Sequence, residues 1–433
     1  MNYYSLNDPS TKANFREATI NGQAPDKGLY FPEFIPQLPR GLIKDINQFS
    51  KEEIAFAVIK PYVGEAIPEN DLRKIVAETI DFDFPLQKIN DRTYSLELFH
   101  GPTLAFKDVG ARFMSRCLGY FTKNNKQRIT VLVATSGDTG GAVANGFYGV
   151  EGVDVVILYP SGKVSSVQEL QLTTLGKNIS ALEVNGSFDD CQQLVKQAFA
   201  DSQINNKLFL TSANSINVAR WLPQQFYYLF AYQQWPEKDN PPVISVPSGN
   251  FGNICAGMLL YRSGLPVSHF IAACNANDVV PSYLRNGGYH PQKAIATLSN
   301  AMDVGNPSNF VRVLELFHKE FNSVKEILSS YSISDEETKD TIKQVYSTYN
   351  YLLDPHGAVG YRALEKYLGQ YPGKKGIFLE TAHPVKFYDV VEPVISAKIL
   401  QPETVRILLS KKKQSIFIEA DYEKFREWLL SGR

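Results

Sequence analysis

Residues 128–150 read RITVLVATSGDTGGAVANGFYGV. The run from Arg128 to Ala134 is largely apolar and β-branched, which is typical of a strand that a parallel sheet buries on both faces. A glycine-rich turn, Thr135 to Gly141, follows without a spacer and leads into a helix pattern. A strand, a tight turn and a helix in this order form the repeating unit of α/β proteins. This stretch therefore predicts an α/β fold.

The same alternation continues along the chain. Further short apolar runs predict strands at Asp154–Tyr159, Ile179–Val184, Pro242–Pro247, His269–Cys274 and Gly376–Leu379. Helix patterns lie between them, and residues 187–190 fit a capping box before one such helix. The aromatic run from Trp221 to Trp235 is interpreted as core packing rather than as a cofactor-binding segment. We expect a largely parallel sheet with helices on both faces.

The chain is predicted to divide into three parts. Residues 1–93 read as a mostly helical lobe, in which Pro-rich connections separate short helices such as Lys51–Lys60. Residues 94–235 form a smaller α/β domain. Residues 236–433 form a larger α/β domain with a C-terminal extension, and this domain can also include segments from before residue 110. A length of 433 residues agrees with roughly two to three domains.

The composition excludes several classes of function. Hydrophobic residues make up 44% of the chain, and the formal net charge is −1, so the sequence lacks the charge footprint of proteins that bind nucleic acid or anionic membranes. It contains no run of about 18 apolar residues and no signal-peptide pattern, so we expect a cytoplasmic protein without a membrane partner. Four scattered cysteines, without CxxC pairs or a histidine cluster, predict reduced thiols and no metal site.

A single lysine stands among small and apolar residues in SLELFHGPTLAFKDVGARFM, residues 95–114. Flanked by Ala105-Phe106 and Val109-Gly110, the amine of Lys107 would be partly desolvated. Desolvation lowers the pKa of an amine and supplies the free base that attacks an aldehyde or removes a proton. Taken alone, the stretch also fits a surface lysine at the start of an amphipathic helix.

Two turns in the sequence suit anions. The first contains Ser136, Gly137, Asp138 and Thr139 at the start of a helix, where backbone N–H groups and hydroxyls can hold a substrate carboxylate. Its spacing matches neither GxGxxG nor the Walker pattern, which disfavours a dinucleotide or nucleoside triphosphate. A purely structural turn stays open as an alternative.

The second turn is SGNFGN at residues 248–253. Its glycines, Gly249 and Gly252, lie three residues apart, so the backbone can wrap a dianionic phosphate at the start of the next helix. Two anion-binding turns and one lysine with apolar flanks indicate a cofactor that has a phosphate and an aldehyde, together with a carboxylate substrate.

A third polar cluster reads NSINVAR at residues 214–220. If a helix begins near Asn217, then Asn214, Ser215 and Arg220 converge on one further anion, because arginine supplies paired N–H donors to phosphate oxygens. The alternative is a helix cap with a structural arginine. Thr381 ends the last predicted strand, and ligands bind at strand ends in open α/β sheets.

Several strings along the chain are specific when taken together. They run from NFREATINGQAPDKGLYFP through ELFHGPTLAFKD, ATSGDTGGAVA, SANSIN, VPSGNFGN and LSNAMDVGNPSN to ETAHPVKF. With these strings the chain resembles the threonine synthases, pyridoxal-phosphate enzymes of fold type II, over almost its whole length. The N-terminal lobe and the HGPTLAFKD segment are similar to those of the longer subclass of this family.

The resemblance implies a role for each candidate residue. Lys107 would be the catalytic residue and would hold pyridoxal 5′-phosphate as a Schiff base, and Thr381 would face the pyridine nitrogen. The cofactor phosphate would be held by Gly249, Asn250, Phe251, Gly252 and Asn253. The substrate carboxylate and the cofactor ring would meet Ser136, Gly137, Asp138 and Thr139. The substrate phosphate would meet Asn214, Ser215 and Arg220. Enzymes of this fold type often carry Asn where this chain has Asp138, so the partner of that side chain stays open.

By the same resemblance, the expected reaction converts O-phospho-L-homoserine and water to L-threonine and phosphate by γ-elimination and β-addition, the last step of threonine biosynthesis. The expected assembly is a monomer or dimer. One alternative is another fold type II enzyme, such as a threonine or serine dehydratase or a phospho-lyase. A second alternative is a binding protein that keeps the fold without catalysis. The cluster at residues 214–220 favours a phosphorylated substrate.

Overall fold

A computed structural model describes residues 1–123 and 128–431. The N-terminal lobe contains β1 (Asn2–Ser5), β2 (Lys12–Asn14), α1 (Phe15–Asn21), β3 (Tyr30–Pro32), α2 (Arg40–Lys44), α3 (Lys51–Val63) and α4 (Glu69–Thr79). Helix α3 begins at the predicted residue because the side chain of Ser50 caps it and accepts a hydrogen bond from the N–H of Glu53. The strands form a small antiparallel sheet in the order β2-β1-β3, which the mostly helical description of this lobe did not include.

The next part of the chain alternates between strands and helices. It contains β4 (Leu86–Lys88), β5 (Thr93–Glu97), α5 (Lys107–Thr122), β6 (Ile129–Ala134), α6 (Asp138–Phe147), β7 (Val153–Pro160), α7 (Ser166–Thr173), β8 (Ile179–Asn185), α8 (Phe188–Ala200), α9 (Ser202–Asn205), β9 (Phe209–Thr211), α10 (Val218–Trp221) and α11 (Gln225–Gln234).

The remaining part continues this alternation with longer helical stretches. It contains β10 (Val243–Pro247), α12 (Gly252–Arg262), β11 (His269–Cys274), α13 (Val279–Asn286), α14 (Phe310–Leu316), α15 (Phe321–Ile327), β12 (Leu328–Ser332), α16 (Asp335–Tyr349), α17 (Pro355–Gln370), β13 (Gly376–Glu380), α18 (Tyr388–Ile395), α19 (Glu403–Leu409), β14 (Ile416–Glu419) and α20 (Tyr422–Leu430). Short 3₁₀ turns occur at 46–48, 222–224, 300–302 and 384–387.

Two sheets carry the fold. One has five parallel strands in the order β14-β8-β7-β6-β9. The other has six strands in the order β12-β11-β10-β13-β5-β4, parallel except for the last pair. Every predicted strand is present with its ends within one residue of the prediction. Four strands that the sequence did not reveal, β4, β9, β12 and β14, lie at sheet edges, where a strand needs no continuous apolar run.

Two strand pairings bear on the predicted boundaries. Strand β5 belongs to the six-stranded sheet, in line with the allowance made for segments before residue 110. Strand β14 pairs with β8 in the five-stranded sheet, although residues 236–433 were assigned to the larger domain. No local pattern signals this pairing, because its two strands are far apart along the chain. The division into domains otherwise stays a prediction.

The aromatic run from Trp221 to Trp235 lies in the core, as predicted. Helix α11 is buried along most of its length, and Gln233 at its end donates from Nε2 to the carbonyl of Ile46 in the N-terminal lobe at 3.1 Å. Across residues 1–123 and 128–431, no helix has both the length and the apolar character that a membrane crossing requires.

Candidate active site

A cavity of about 590 Å³ opens between the two sheets, where the carboxyl ends of β6, β10 and β13 meet. Thirteen of the fourteen predicted site residues line it. They are Lys107; Ser136, Asp138 and Thr139 of the turn after β6; Asn214, Ser215 and Arg220 of the third cluster; Gly249, Asn250, Phe251, Gly252 and Asn253 of the SGNFGN turn; and Thr381 after β13. Gly137 does not line the wall. It has a φ of +136°, and a Cβ there would lie 2.5 Å from the side chain of Gln168, so this position requires glycine.

Lys107 is the first residue of α5, and the loop before it is tied to the end of β13. The N–H of Phe106 donates to the carbonyl of Thr381 at 2.8 Å, and Ala105 forms an isolated bridge with Ala382. The amine is therefore held against the strand end. The pKa of Lys107 is lowered to about 8, chiefly by burial; the charge of Asp138 opposes this change, and the positive charges of Lys386 and Arg220 add to it. This agrees with the predicted partial desolvation of the amine.

Asp138 makes an ion pair that the sequence did not reveal. Its Oδ1 lies 2.7 Å from Nζ of Lys386 and accepts a hydrogen bond from Nε2 of Gln168 at 2.9 Å. Both Asp138 and Lys386 are buried. Burial by itself raises the pKa of Asp138, but the charges of Lys386 and Lys107 outweigh it and hold this pKa well below its usual range. The string ETAHPVKF contained Lys386, but nothing local indicated its partner.

The SGNFGN turn connects β10 to α12. Its side chains brace it: Nδ2 of Asn253 donates to the carbonyl of Pro247 at 2.8 Å, and Oδ1 of Asn250 accepts from the hydroxyl of Ser308 at 3.1 Å. Phe251 adopts the left-handed conformation with a φ of +62° at the N-cap of α12, and its buried ring packs edge-on against Phe310. The turn thus presents its backbone at a helix N-terminus, as an anion site requires.

The third cluster also faces the cavity. Asn217 caps α10 by accepting from the N–H of Ala219, which confirms the predicted helix start. Arg220 is buried, and its Nη1 donates to the carbonyl of Ala213. Its Nε has no hydrogen-bond partner, and none of the ion pairs formed by the described residues involves it. Burial lowers the pKa of Arg220 to about 10, which leaves it charged at neutral pH. A buried, unpaired guanidinium is suited to an incoming anion.

These features together fit a group with an aldehyde, a ring and a phosphate. The partly buried amine of Lys107, the backbone turn at the start of α12 and the neutral hydroxyl of Thr381 surround one cavity. Among the described residues, no group of three or more His, Cys, Asp and Glu side chains could hold a metal ion.

Comparison with known proteins agrees with this geometry. Residues 86–380 match the family described as pyridoxal-phosphate dependent enzyme, residues 2–80 match threonine synthase N terminus, and residues 357–429 match threonine synthase, C-terminal. The chain belongs to the threonine synthase family. This makes it a pyridoxal-phosphate-dependent enzyme with the fold of type II, as the sequence indicated.

Relatives of the threonine synthase family match the chain from end to end. Threonine synthase of Haemophilus influenzae is 44% identical, and the match covers 100% of both chains. The crystal structure of threonine synthase from Escherichia coli superposes with a TM-score of 0.93 at 41% identity, covering 100% of both chains. A pyridoxal-phosphate-bound threonine synthase structure from Brucella melitensis gives a TM-score of 0.93 at 34% identity, covering 99% of this chain and 98% of that one.

Proposed function

We propose that the protein converts O-phospho-L-homoserine and water to L-threonine and phosphate. Family membership supports a lyase that uses pyridoxal phosphate. The observation that carries the choice of substrate is Arg220, whose buried guanidinium has no carboxylate partner and lines the same cavity as Lys107. The turn at residues 248–253 already suits the cofactor phosphate, so a second cationic site favours a substrate with a phosphate of its own.

In this proposal, each wall of the cavity has one task. Lys107 holds the cofactor through its amine, and Thr381 faces the ring nitrogen with a neutral hydroxyl. The cofactor phosphate is held by Gly249, Asn250, Phe251, Gly252 and Asn253. The substrate carboxylate meets the turn formed by Ser136, Gly137, Asp138 and Thr139, in which Lys386 and Gln168 fix Asp138. The substrate phosphate meets Asn214, Ser215 and Arg220.

The proposed proton transfers depend on Lys107. When bound, the cofactor supplies an electron-withdrawing ring that stabilises negative charge on the carbon next to the substrate amine. The pKa of the Lys107 amine, about 8, is close to neutral pH, so the amine can both accept and return a proton. It would move protons at the α, β and γ carbons of the substrate. Arg220 would stabilise the leaving phosphate, and water would then add at the β carbon.

The experiment that tests the proposal is product analysis of purified protein loaded with pyridoxal phosphate. With O-phospho-L-homoserine in water enriched in heavy oxygen, we expect equal amounts of L-threonine and phosphate, with the label in the threonine hydroxyl. Formation of 2-oxobutanoate instead would identify a phospho-lyase or dehydratase. Lys107→Ala is expected to abolish the reaction, whereas Lys196→Ala, an exposed lysine at the same cavity, serves as the matched control.

Two further properties belong to the proposal. A cytoplasmic location is supported by the four cysteines Cys117, Cys191, Cys255 and Cys274, which are all buried free thiols. The assembly is proposed to be a monomer or dimer, and sedimentation of the purified protein would decide between them.

A further inference from the structure

One wall of the cavity is a short 3₁₀ turn that belongs to none of the three anion-binding segments described above. It spans Asn300–Met302 in the string LSNAMDVGNPSN, and Asn300, Ala301, Met302 and Asp303 all line the cavity. The Oδ1 atom of Asn300 is buried and has no hydrogen-bond partner. A buried amide oxygen without a partner costs free energy, so its presence in a ligand cavity indicates a donor that arrives with the ligand.

The turn is fixed on its C-terminal side by Asp303. Its Oδ1 accepts hydrogen bonds from Oγ1 of Thr297 at 2.7 Å and from Nδ2 of Asn275 at 2.9 Å. Its Oδ2 accepts one from the N–H of Thr297 at 3.0 Å. This set of bonds ties the turn to the end of β11, so the position of Asn300 does not depend on an unsupported loop.

The other support of the turn is a histidine from a different part of the chain. The N–H of Ala301 donates to Nε2 of His356 at 3.2 Å. Nδ1 of the same ring lies 2.5 Å from Oδ1 of Asp354, and both His356 and Asp354 are buried. Because Nε2 accepts a hydrogen bond, the ring proton belongs on Nδ1, where the carboxylate of Asp354 accepts it. Asp354 also caps α17, so the pair is anchored to a helix start.

The turn also rests on the proposed cofactor site. A Cβ atom at Gly249 would lie 2.8 Å from Cα of Met302 and 3.0 Å from the carbonyl oxygen of Ala301. The turn and the SGNFGN backbone are therefore in direct contact, and a shift of one displaces the other.

We propose that Asn300 is a further binding residue of this site and that His356 and Asp354 are its positioning residues. The amide oxygen of Asn300 accepts a hydrogen bond from an N–H or O–H group of the bound molecules. The donor is either the ring hydroxyl of the cofactor or the amine of the amino-acid substrate. The inference rests on the proposed function only for the identity of that substrate.

Cofactor titration and substrate kinetics of Asn300→Ala distinguish the two donors. The dissociation constant of pyridoxal phosphate, measured by absorbance on cofactor-free protein, is expected to rise about tenfold if the ring hydroxyl is the donor. If the substrate amine is the donor, the KM for O-phospho-L-homoserine at saturating cofactor rises about tenfold instead. Asn300→Asp, which keeps an acceptor, is expected to restore the affected constant. If both constants of Asn300→Ala stay within about twofold, the inference is overturned.

The positioning role is tested by a double-mutant cycle. His356→Ala is expected to change the same constant as Asn300→Ala, and the double variant is expected to be no worse than either, because both changes remove one interaction. His356→Gln, which keeps an acceptor for the N–H of Ala301, should recover most of the loss. Full additivity of the two changes, or no rescue by His356→Gln, would refute the positioning role.

A matched control separates this role from general loss of stability. His269 is also a buried histidine, but it bonds to the hydroxyl of Ser329 and stacks on Tyr367, and it does not line the cavity. His269→Ala is expected to lower the free energy of unfolding and to leave both constants unchanged. The cofactor titration needs no turnover, so failure of the proposed reaction and failure of this inference give different results.

Discussion

Nζ of Lys386 and Oδ1 of Asp138 form a buried ion pair at 2.7 Å that joins the two halves of the protein. Lys386 follows β13 of the six-stranded sheet, whereas Asp138 begins α6 after β6 of the five-stranded sheet. Nζ of Lys386 also donates to the carbonyl of Thr103 at 2.9 Å, in the loop that leads to Lys107. The pair therefore links the turn at residues 135–141 to the loop that precedes Lys107.

Removal of one partner of this pair should be costly. We expect Lys386→Met to lower the free energy of unfolding by about 3–5 kcal/mol, because it leaves the carboxylate of Asp138 buried without its ion-pair partner. Urea denaturation of the cofactor-free protein measures this change. The double variant with Asp138→Asn should recover most of the loss, since neither residue then carries an unpaired charge. A single variant that costs less than about 1 kcal/mol would contradict the prediction.

Lys386 also marks the limit of what the sequence could predict. The strands buried on both faces, the helix start at Asn217 and the cavity residues near Lys107 follow from local patterns, because apolar runs, caps and glycine turns are encoded within a few residues. The partner of Asp138 lies far along the chain and depends on how the two sheets meet. The same reason hid the pairing of β14 with β8 and the bond from Ala301 to His356. These contacts depend on how distant segments pack together, and the residues near each partner in the sequence do not indicate that packing.

Gly249→Ala tests the close packing at the proposed cofactor turn. The added Cβ would lie 2.8 Å from a backbone atom of Met302, so the turn or its neighbour has to move. We expect the dissociation constant of pyridoxal phosphate to rise at least about tenfold, by loss of one or more backbone hydrogen bonds to the phosphate. Titration of cofactor-free protein measures it.

Gly369→Ala is the matched control for that change. Gly369 lies in α17, and a Cβ there meets no atom within 4 Å. In a helix, alanine is favoured over glycine by about 0.5–1 kcal/mol. The control should therefore keep its cofactor affinity and become slightly more stable; equal cofactor constants for the two alanine variants would argue against the turn as the phosphate site.

Arg220→Gln tests the proposed site for the substrate phosphate. Loss of a charged hydrogen bond of about 1.5–3 kcal/mol should raise the KM for O-phospho-L-homoserine about 10- to 100-fold. Inhibition by inorganic phosphate should weaken in parallel, whereas cofactor affinity should change little. Lys293→Gln removes an exposed cation at the same cavity and is the control. If the KM and the inhibition by phosphate are both unchanged in Arg220→Gln, the substrate phosphate does not bind at Arg220.

Lys107 is expected to lower the free energy of unfolding of the cofactor-free protein, compared with a variant that has an uncharged side chain at this position. Its pKa is lowered from 10.5 to about 8, chiefly by burial, so between these values the unfolded chain binds more protons than the folded one. The free energy of unfolding therefore rises with pH across this window, and below pH 8 the folded protein carries the full cost of the charged amine. The shift corresponds to about 1–3 kcal/mol, reduced because the side chain keeps some contact with water in the open cavity.

Lys107→Met should consequently be inactive yet more stable than the parent protein at neutral pH. The gain should shrink as the pH rises from 8 to 10.5 and disappear above that window, where the parent amine is neutral in both states. Urea denaturation of the two cofactor-free proteins at several pH values measures it, with Lys196→Met as the exposed control. If the Lys107→Met protein is less stable than the parent at neutral pH, the lysine stabilises the fold, and the expected trade of stability for activity at this position is wrong.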